Sequence, residues 1–128
     1  MKIKLAVISA VACGFLGITG LSFGHHSVNW AERNETSITG TVVEFSFTNP
    51  HAMLVVQAKD GQKWSIETSS PARLRRAGWN RNTLKPGDQI VVSGGKAKDG
   101  SPLMNAHKFV VNGKEVAMER DDGEYARP

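Results

Sequence analysis

The sequence predicts an all-β fold: a small five-stranded OB-like barrel with one short helix between strands 3 and 4, preceded by a signal peptide. Three observations carry this. From Ile38 onward, apolar residues recur with the two-residue period of a strand that buries one face. The turn pairs Asn49-Pro50, Asp60-Gly61 and Asn112-Gly113 interrupt that pattern at strand-length intervals. A lone helix start, Ser70-Pro71, falls between the third and fourth strand-like runs.

The chain opens with Lys2 and Lys4, an apolar run over residues 5–21, and the small residues Ser22 and Gly24. This is the layout of a secretory signal cut after Gly24, which makes residues 1–24 the signal peptide. An uncleaved membrane anchor is the rival reading, but Gly14, Gly17, Thr19 and Gly20 dilute the run and no basic stop-transfer cluster follows. A lipoprotein anchored through Cys13 fits less well, because Ala10 stands where a branched residue is usual. Residues 25–37 are then an extended N-terminal arm, residues 38–118 the OB-like domain, and the charged residues 119–128 a mobile tail.

In the domain, Thr41, Val43, Phe45 and Phe47 alternate with Val42, Glu44, Ser46 and Thr48 as the first strand, and Asn49-Pro50 ends it because proline offers no N–H. The second strand puts Ala52, Leu54, Val56 and Ala58 on one face and His51, Met53, Val55 and Gln57 on the other. Asp60-Gly61 makes a hairpin turn, and Trp64 with Ile66 carries the third strand. Ser70 caps a helix of about two turns with Pro71 at its first position, Gly78 suits the left-handed residue that ends it, and Trp79 tucks back as a plug. Leu84-Lys85-Pro86-Gly87-Asp88 is a turn, residues 89–93 form a fourth strand and residues 105–111 a fifth, with Asn112-Gly113 closing a small hairpin. Closing such a sheet on itself buries its apolar faces.

Charge and cysteine content exclude several functions. The formal charge of +4, from 16 basic and 12 acidic residues, drops to +2 once Lys2 and Lys4 leave with the signal. So small an excess, with no basic patch interleaved with aromatics, argues against nucleic acid as a partner. The lone cysteine, Cys13, leaves too, so the mature chain has no disulfide, thiolate metal site or cysteine nucleophile. Nucleophile elbows, Walker loops, dinucleotide fingerprints and His-Glu-x-x-His are absent from the sequence.

His25-His26-Ser27, Thr48-Asn49-Pro50-His51, Ser70-Pro71, Gly78-Trp79 and Leu84-Lys85-Pro86-Gly87-Asp88, in this order and spacing, resemble a family of short exported bacterial proteins catalogued as a domain of unknown function. Val28 and Met53 stand where that family commonly carries an aromatic ring. The resemblance implies export to the periplasm or beyond and a compact β domain; it implies no activity.

The candidate chemistry rests on histidine. Cleavage after Gly24 would make His25 the first residue, with a free amine beside its own imidazole and that of His26. An amine and two imidazoles suit copper, zinc or nickel, and a further imidazole from the fold completes a T-shaped histidine brace. His51 is the expected third arm, and Met53, two residues on along a strand, adds a soft thioether on the same face. The expected metal ligands are thus His25, His26, His51 and Met53, the expected ion is copper, and the expected role is to carry, buffer or deliver it. A plainer account makes the two leading histidines a polar leader, His51 a hydrogen-bonding residue of the Asn-Pro turn, Met53 filler, and His107 a strand surface residue with nothing tying it to the amino terminus.

Two further readings compete. A metal-free OB-like module could bind a protein or an envelope saccharide through Arg73, Arg75, Arg76 and Trp79. An oxidative copper enzyme needs an open coordination position and a substrate platform, and the few aromatics give little sign of a platform. The sequence favours a binding protein over an enzyme, with no membrane association once the signal is gone.

Overall fold

The computed structural model describes residues 28–118. The expected signal peptide, the leading histidines His25 and His26, and the charged tail lie outside the described residues. A single 3-10 turn, Val28–Trp30, leads into β1 (Ala31–Ser46), and then come β2 (Met53–Ala58), β3 (Lys63–Glu67), the helix α1 (Pro71–Arg76), β4 (Gln89–Ala97), β5 (Leu103–Val111) and β6 (Lys114–Val116). The fold is predominantly β. Its six strands form one sheet in the order β3-β2-β1-β4-β5-β6, with an additional pairing between β3 and β5. That added pairing is parallel and joins Ser65 to Leu103, Ile66 to Met104 and Glu67 to Asn105; the other pairings are antiparallel. Traced from strand to strand, the ladder therefore returns to its start: β1, β2, β3, β5, β4 and again β1. β6 pairs with β5 alone, through a turn in which Asn112 and Gly113 both have positive φ, 48° and 81°. It is a strand more than the five expected.

β1 is longer than its alternation predicts. It starts at Ala31 rather than Ile38, and its first part pairs with β4 from Ala31↔Ala97 to Thr41↔Gln89. Residues 32–35 are all exposed, so no apolar period marks this stretch, and its register with β4 shifts between Ala31 and Glu35. The second part pairs with β2, and there the register slips between Val42↔Val56 and Glu44↔Val55. Val43 is the extra residue of a β-bulge, which reverses the inward phase of the strand. Val42 is buried before the bulge and Phe47 after it, while Val43 is 40% exposed. The single buried face expected for Thr41, Val43, Phe45 and Phe47 is corrected accordingly. The bulge is clamped from outside, because Val42 donates its N–H to Asp88 O at 2.9 Å and accepts from Gly87 N–H at 2.8 Å, both in the Lys85–Asp88 turn.

α1 forms as its sequence signals indicate. The Ser70 hydroxyl accepts from Arg73 N–H at 3.4 Å and Pro71 fills the first position. At the other end Gly78 N–H bonds Arg75 O at 3.0 Å and Trp79 N–H bonds Leu74 O at 2.9 Å, a Schellman closure that needs the φ of +90° at Gly78. This turn sends Trp79 into the core, where it is 2% exposed and packs edge-on to Phe109 at 5.4 Å between ring centres. Its indole Nε1–H donates to Ala117 O at 2.7 Å, which satisfies the one polar atom of the ring. Leu54, Val56, Ile66, Leu74, Val92 and Met104 complete the centre of the core.

Candidate functional site

The backbone beside His51 is held on both sides. Ala52 donates its N–H to Ser69 O at 3.0 Å, and its carbonyl accepts from Thr68 N–H at 3.0 Å and Thr68 Oγ1–H at 2.8 Å. Ala52 and Leu54 have no exposed surface, so the neighbours His51 and Met53 leave the sheet on its outer side. The His51 ring is a third exposed, 34%, and its Nδ1 stands 3.1 Å from Oε1 of Glu67. With Nδ1–H donating to that carboxylate, Nε2 carries the lone pair. A carboxylate behind one ring nitrogen is the arrangement that orients a metal-ligating histidine and makes it a better donor. Glu67 also sits directly opposite Met53 in the β2–β3 ladder. His51, Met53 and Glu67 thus form one small outward cluster in which the sequence alone identifies two members.

A second carboxylate-backed imidazole lies further round the sheet. His107 Nε2 is 3.0 Å from Glu35 Oε2, with both side chains largely exposed. The pair borders a shallow depression lined by Asn29, Glu32, Glu35, Lys98, Asn105 and His107. At its rim the chain from the amino-terminal side enters the fold: Lys98 N–H donates to Trp30 O at 2.9 Å, and Lys98 Nζ donates to Asn29 O. Asn29 and His107 line the same hollow, while His25, the amino terminus expected of the mature chain, lies outside the described residues. One rung of the ladder connects the two histidine clusters, with Met53 opposite Glu67, Glu67 opposite Asn105, Asn105 opposite Gly95 and Gly95 opposite Glu35.

Among the described residues, no three His, Cys, Asp or Glu side chains converge as a metal cluster. What the described residues supply is imidazole–carboxylate pairs. The residues considered for a protein or saccharide contact divide. Arg73, Arg75 and Arg76 lie on α1, and Arg75 stacks over the Phe47 ring at 5.3 Å. Trp79 is buried in the core with its indole N–H taken, so it gives a contact surface no aromatic anchor. No helix among the described residues is long and apolar enough to cross a membrane.

Sequence reasoning misses Glu67, Glu35 and His107 as site residues. Glu67 reads as one of many strand glutamates, since cross-strand register is a tertiary property. A signal for the second pair does exist in Gly94-Gly95, a doublet inside a strand that marks a close backbone approach.

The sequence matches the model of a family described as "Family of unknown function (DUF6152)" over residues 14–106. No curated protein matches it.

Proposed function

The chain belongs to this family of unknown function, a membership that assigns no activity, and from its own residues we propose that it is an exported periplasmic protein binding copper at its mature amino terminus. Cleavage after Gly24 frees the amine of His25; that amine, the His25 and His26 imidazoles and His51 Nε2 form the site, with the Met53 thioether as a soft auxiliary ligand. The observation that carries this reading is the His51–Glu67 pair: one ring nitrogen is held by a carboxylate, and Met53 stands opposite that carboxylate in the β2–β3 ladder. Nitrogen donors of this kind suit copper, zinc or nickel, and sulfur tilts the set towards cuprous copper.

The closure requires the leading residues to reach from the hollow across the sheet. His25 precedes Asn29 by four residues, and extended chain of that length reaches up to ~14 Å. Asn105, at the hollow that Asn29 lines, lies two strands from Met53, about 10 Å of sheet. We read the scaffold as an OB-like barrel, since each of the five main strands has two partners in a ladder that returns to its start. Such a scaffold keeps Glu67 on a strand, while His51, expected within the second strand, lies in the bend just before β2 and is held through the backbone of Ala52. Carriage, buffering or delivery of the ion fits the donor set better than catalysis. The metal-free module reading has weaker support, because its aromatic residue is in the core.

Mass spectrometry of protein recovered from the periplasm should give a mature chain starting at His25. In that form His51→Ala should weaken Cu(II) binding and change the spectrum of the bound ion. A chain starting elsewhere, or a His51→Ala protein with unchanged affinity and spectrum, contradicts the proposal.

A further inference from the structure

Asn112-Gly113 is the one Asn-Gly pair in the sequence, and it makes the β5–β6 turn with positive φ at both residues. An asparagine before a glycine is open to spontaneous deamidation, because glycine puts no side chain beside the attacking nitrogen. In that reaction the Gly113 nitrogen bonds to the side-chain carbonyl carbon of Asn112 and closes a cyclic imide. The bond to Nδ2 breaks, and Nδ2 leaves as ammonia with the proton given up by Gly113. Water then opens the ring at one of its two carbonyls, leaving aspartate or isoaspartate.

In the fold both ends of the Asn112 amide are engaged. Nδ2–H donates to Asp88 Oδ1 at 3.1 Å, Oδ1 accepts from Gln89 N–H at 2.9 Å, and Asn112 N–H returns to Gln89 O at 2.8 Å. The other Asp88 oxygen accepts from Lys85 N–H at 2.9 Å, and Gly87 and Asp88 are the residues that bond Val42 before the β1 bulge. One exposed amide thus ties the β5–β6 turn to the start of β4 and, through Asp88, to β1. While the clamp is closed the amide is fixed toward β4, and attack by the Gly113 nitrogen needs it to swing free. After conversion a carboxylate oxygen stands in place of Nδ2; it has no proton for Asp88 and meets it as a like charge. An isoaspartate instead lengthens the backbone of a two-residue turn that sets the hairpin register.

We propose that Asn112 is a deamidation site gated by its bonds to Asp88 and Gln89: the closed clamp suppresses the reaction, local opening permits it, and neither product closes the clamp again. Asn112 is then a one-way latch, which marks every chain in which this end of the sheet has opened.

The test follows the intact protein in mildly alkaline buffer, with and without denaturing urea, and reads the Asn112 peptide by mass spectrometry. Conversion in the folded protein should be at least ~10-fold slower than in urea, because it waits on local opening. Equal rates overturn the gating. Asp88→Ala removes the acceptor of Nδ2 and should speed conversion of the folded protein; a rate as slow as the parent's overturns the part given to Asp88. Because that variant also frees Lys85 N–H and loosens its turn, Asn112→Asp gives an independent reading. It should lower the midpoint of urea unfolding and speed hydrogen exchange at Val42 N–H, which Asp88 O holds. A midpoint and a Val42 exchange rate equal to the parent's overturn the latch.

Discussion

His51 Nδ1 lies 3.1 Å from Glu67 Oε1, and Glu67 stands directly across the β2–β3 ladder from Met53. A surface ion pair and an oriented metal ligand share this geometry, and they differ in their response to neutralising the carboxylate. Glu67→Gln keeps the volume of the side chain and removes its charge. As an ion pair alone, the contact is worth about 0–1 kcal/mol, visible only as a small shift in a urea melt. As the support of a ligand, its loss should lower Cu(II) affinity of the native mature protein by about 10–100-fold. Isothermal titration of the two proteins distinguishes the cases.

Met53→Leu tests the sulfur. The residue is half-buried, and leucine fills nearly the same space, so stability should change by less than ~1.5 kcal/mol. Competition with a cuprous chelator should show weaker Cu(I) binding, while Cu(II) binding, carried by nitrogen donors, stays near its original value. An unchanged Cu(I) affinity makes Met53 packing only.

Trp79→Phe probes the joint between α1 and the sheet. The substitution removes the Nε1–H donor, leaves Ala117 O without its partner, and opens space beside Phe109. The combined cost should be about 2–4 kcal/mol by chemical denaturation. A change below ~0.5 kcal/mol would mean that the indole is not the central core element described.

Gly95→Ala should destabilise the protein by about 1–3 kcal/mol, because the new methyl group meets the Glu32 carbonyl and either β1 or β4 has to shift. The shift acts on the floor of the His107–Glu35 hollow, so the NMR signals of His107 should move along with the melt. An alanine protein that is as stable as its parent would show that β1 does not lie this close to β4.

The parts of this fold that are legible in the sequence are those set by local chemistry. β2 obeys the Ala52, Leu54, Val56, Ala58 alternation, the hairpin turn at Asp60-Gly61 forms with positive φ at Gly61 and not at Asp60, and α1 begins at Ser70-Pro71 and closes at Gly78. Hidden from it are the features set by strands distant in the chain. Residues 31–37 carry no apolar period, yet they pair with β4 at Ala31 and again from Glu35 onward. The Val43 bulge inverts a phase that the residue types suggest is continuous, and the parallel β3–β5 pairing has no signal in either strand. The site divides in the same way. A shared face for His51 and Met53 comes from strand period alone, whereas Glu67 behind His51, and Glu35 with His107 across Gly95, depend on register and on a second bulge.

The central claim is that a free His25 amine holds the ion. Its most direct test is titration with Cu(II) of the native mature protein, beside the same protein carrying one added Met ahead of His25. Tight one-to-one binding is expected of the first, and a large loss of affinity with an altered copper spectrum of the second. Equal affinity and identical spectra for the two would contradict the claim.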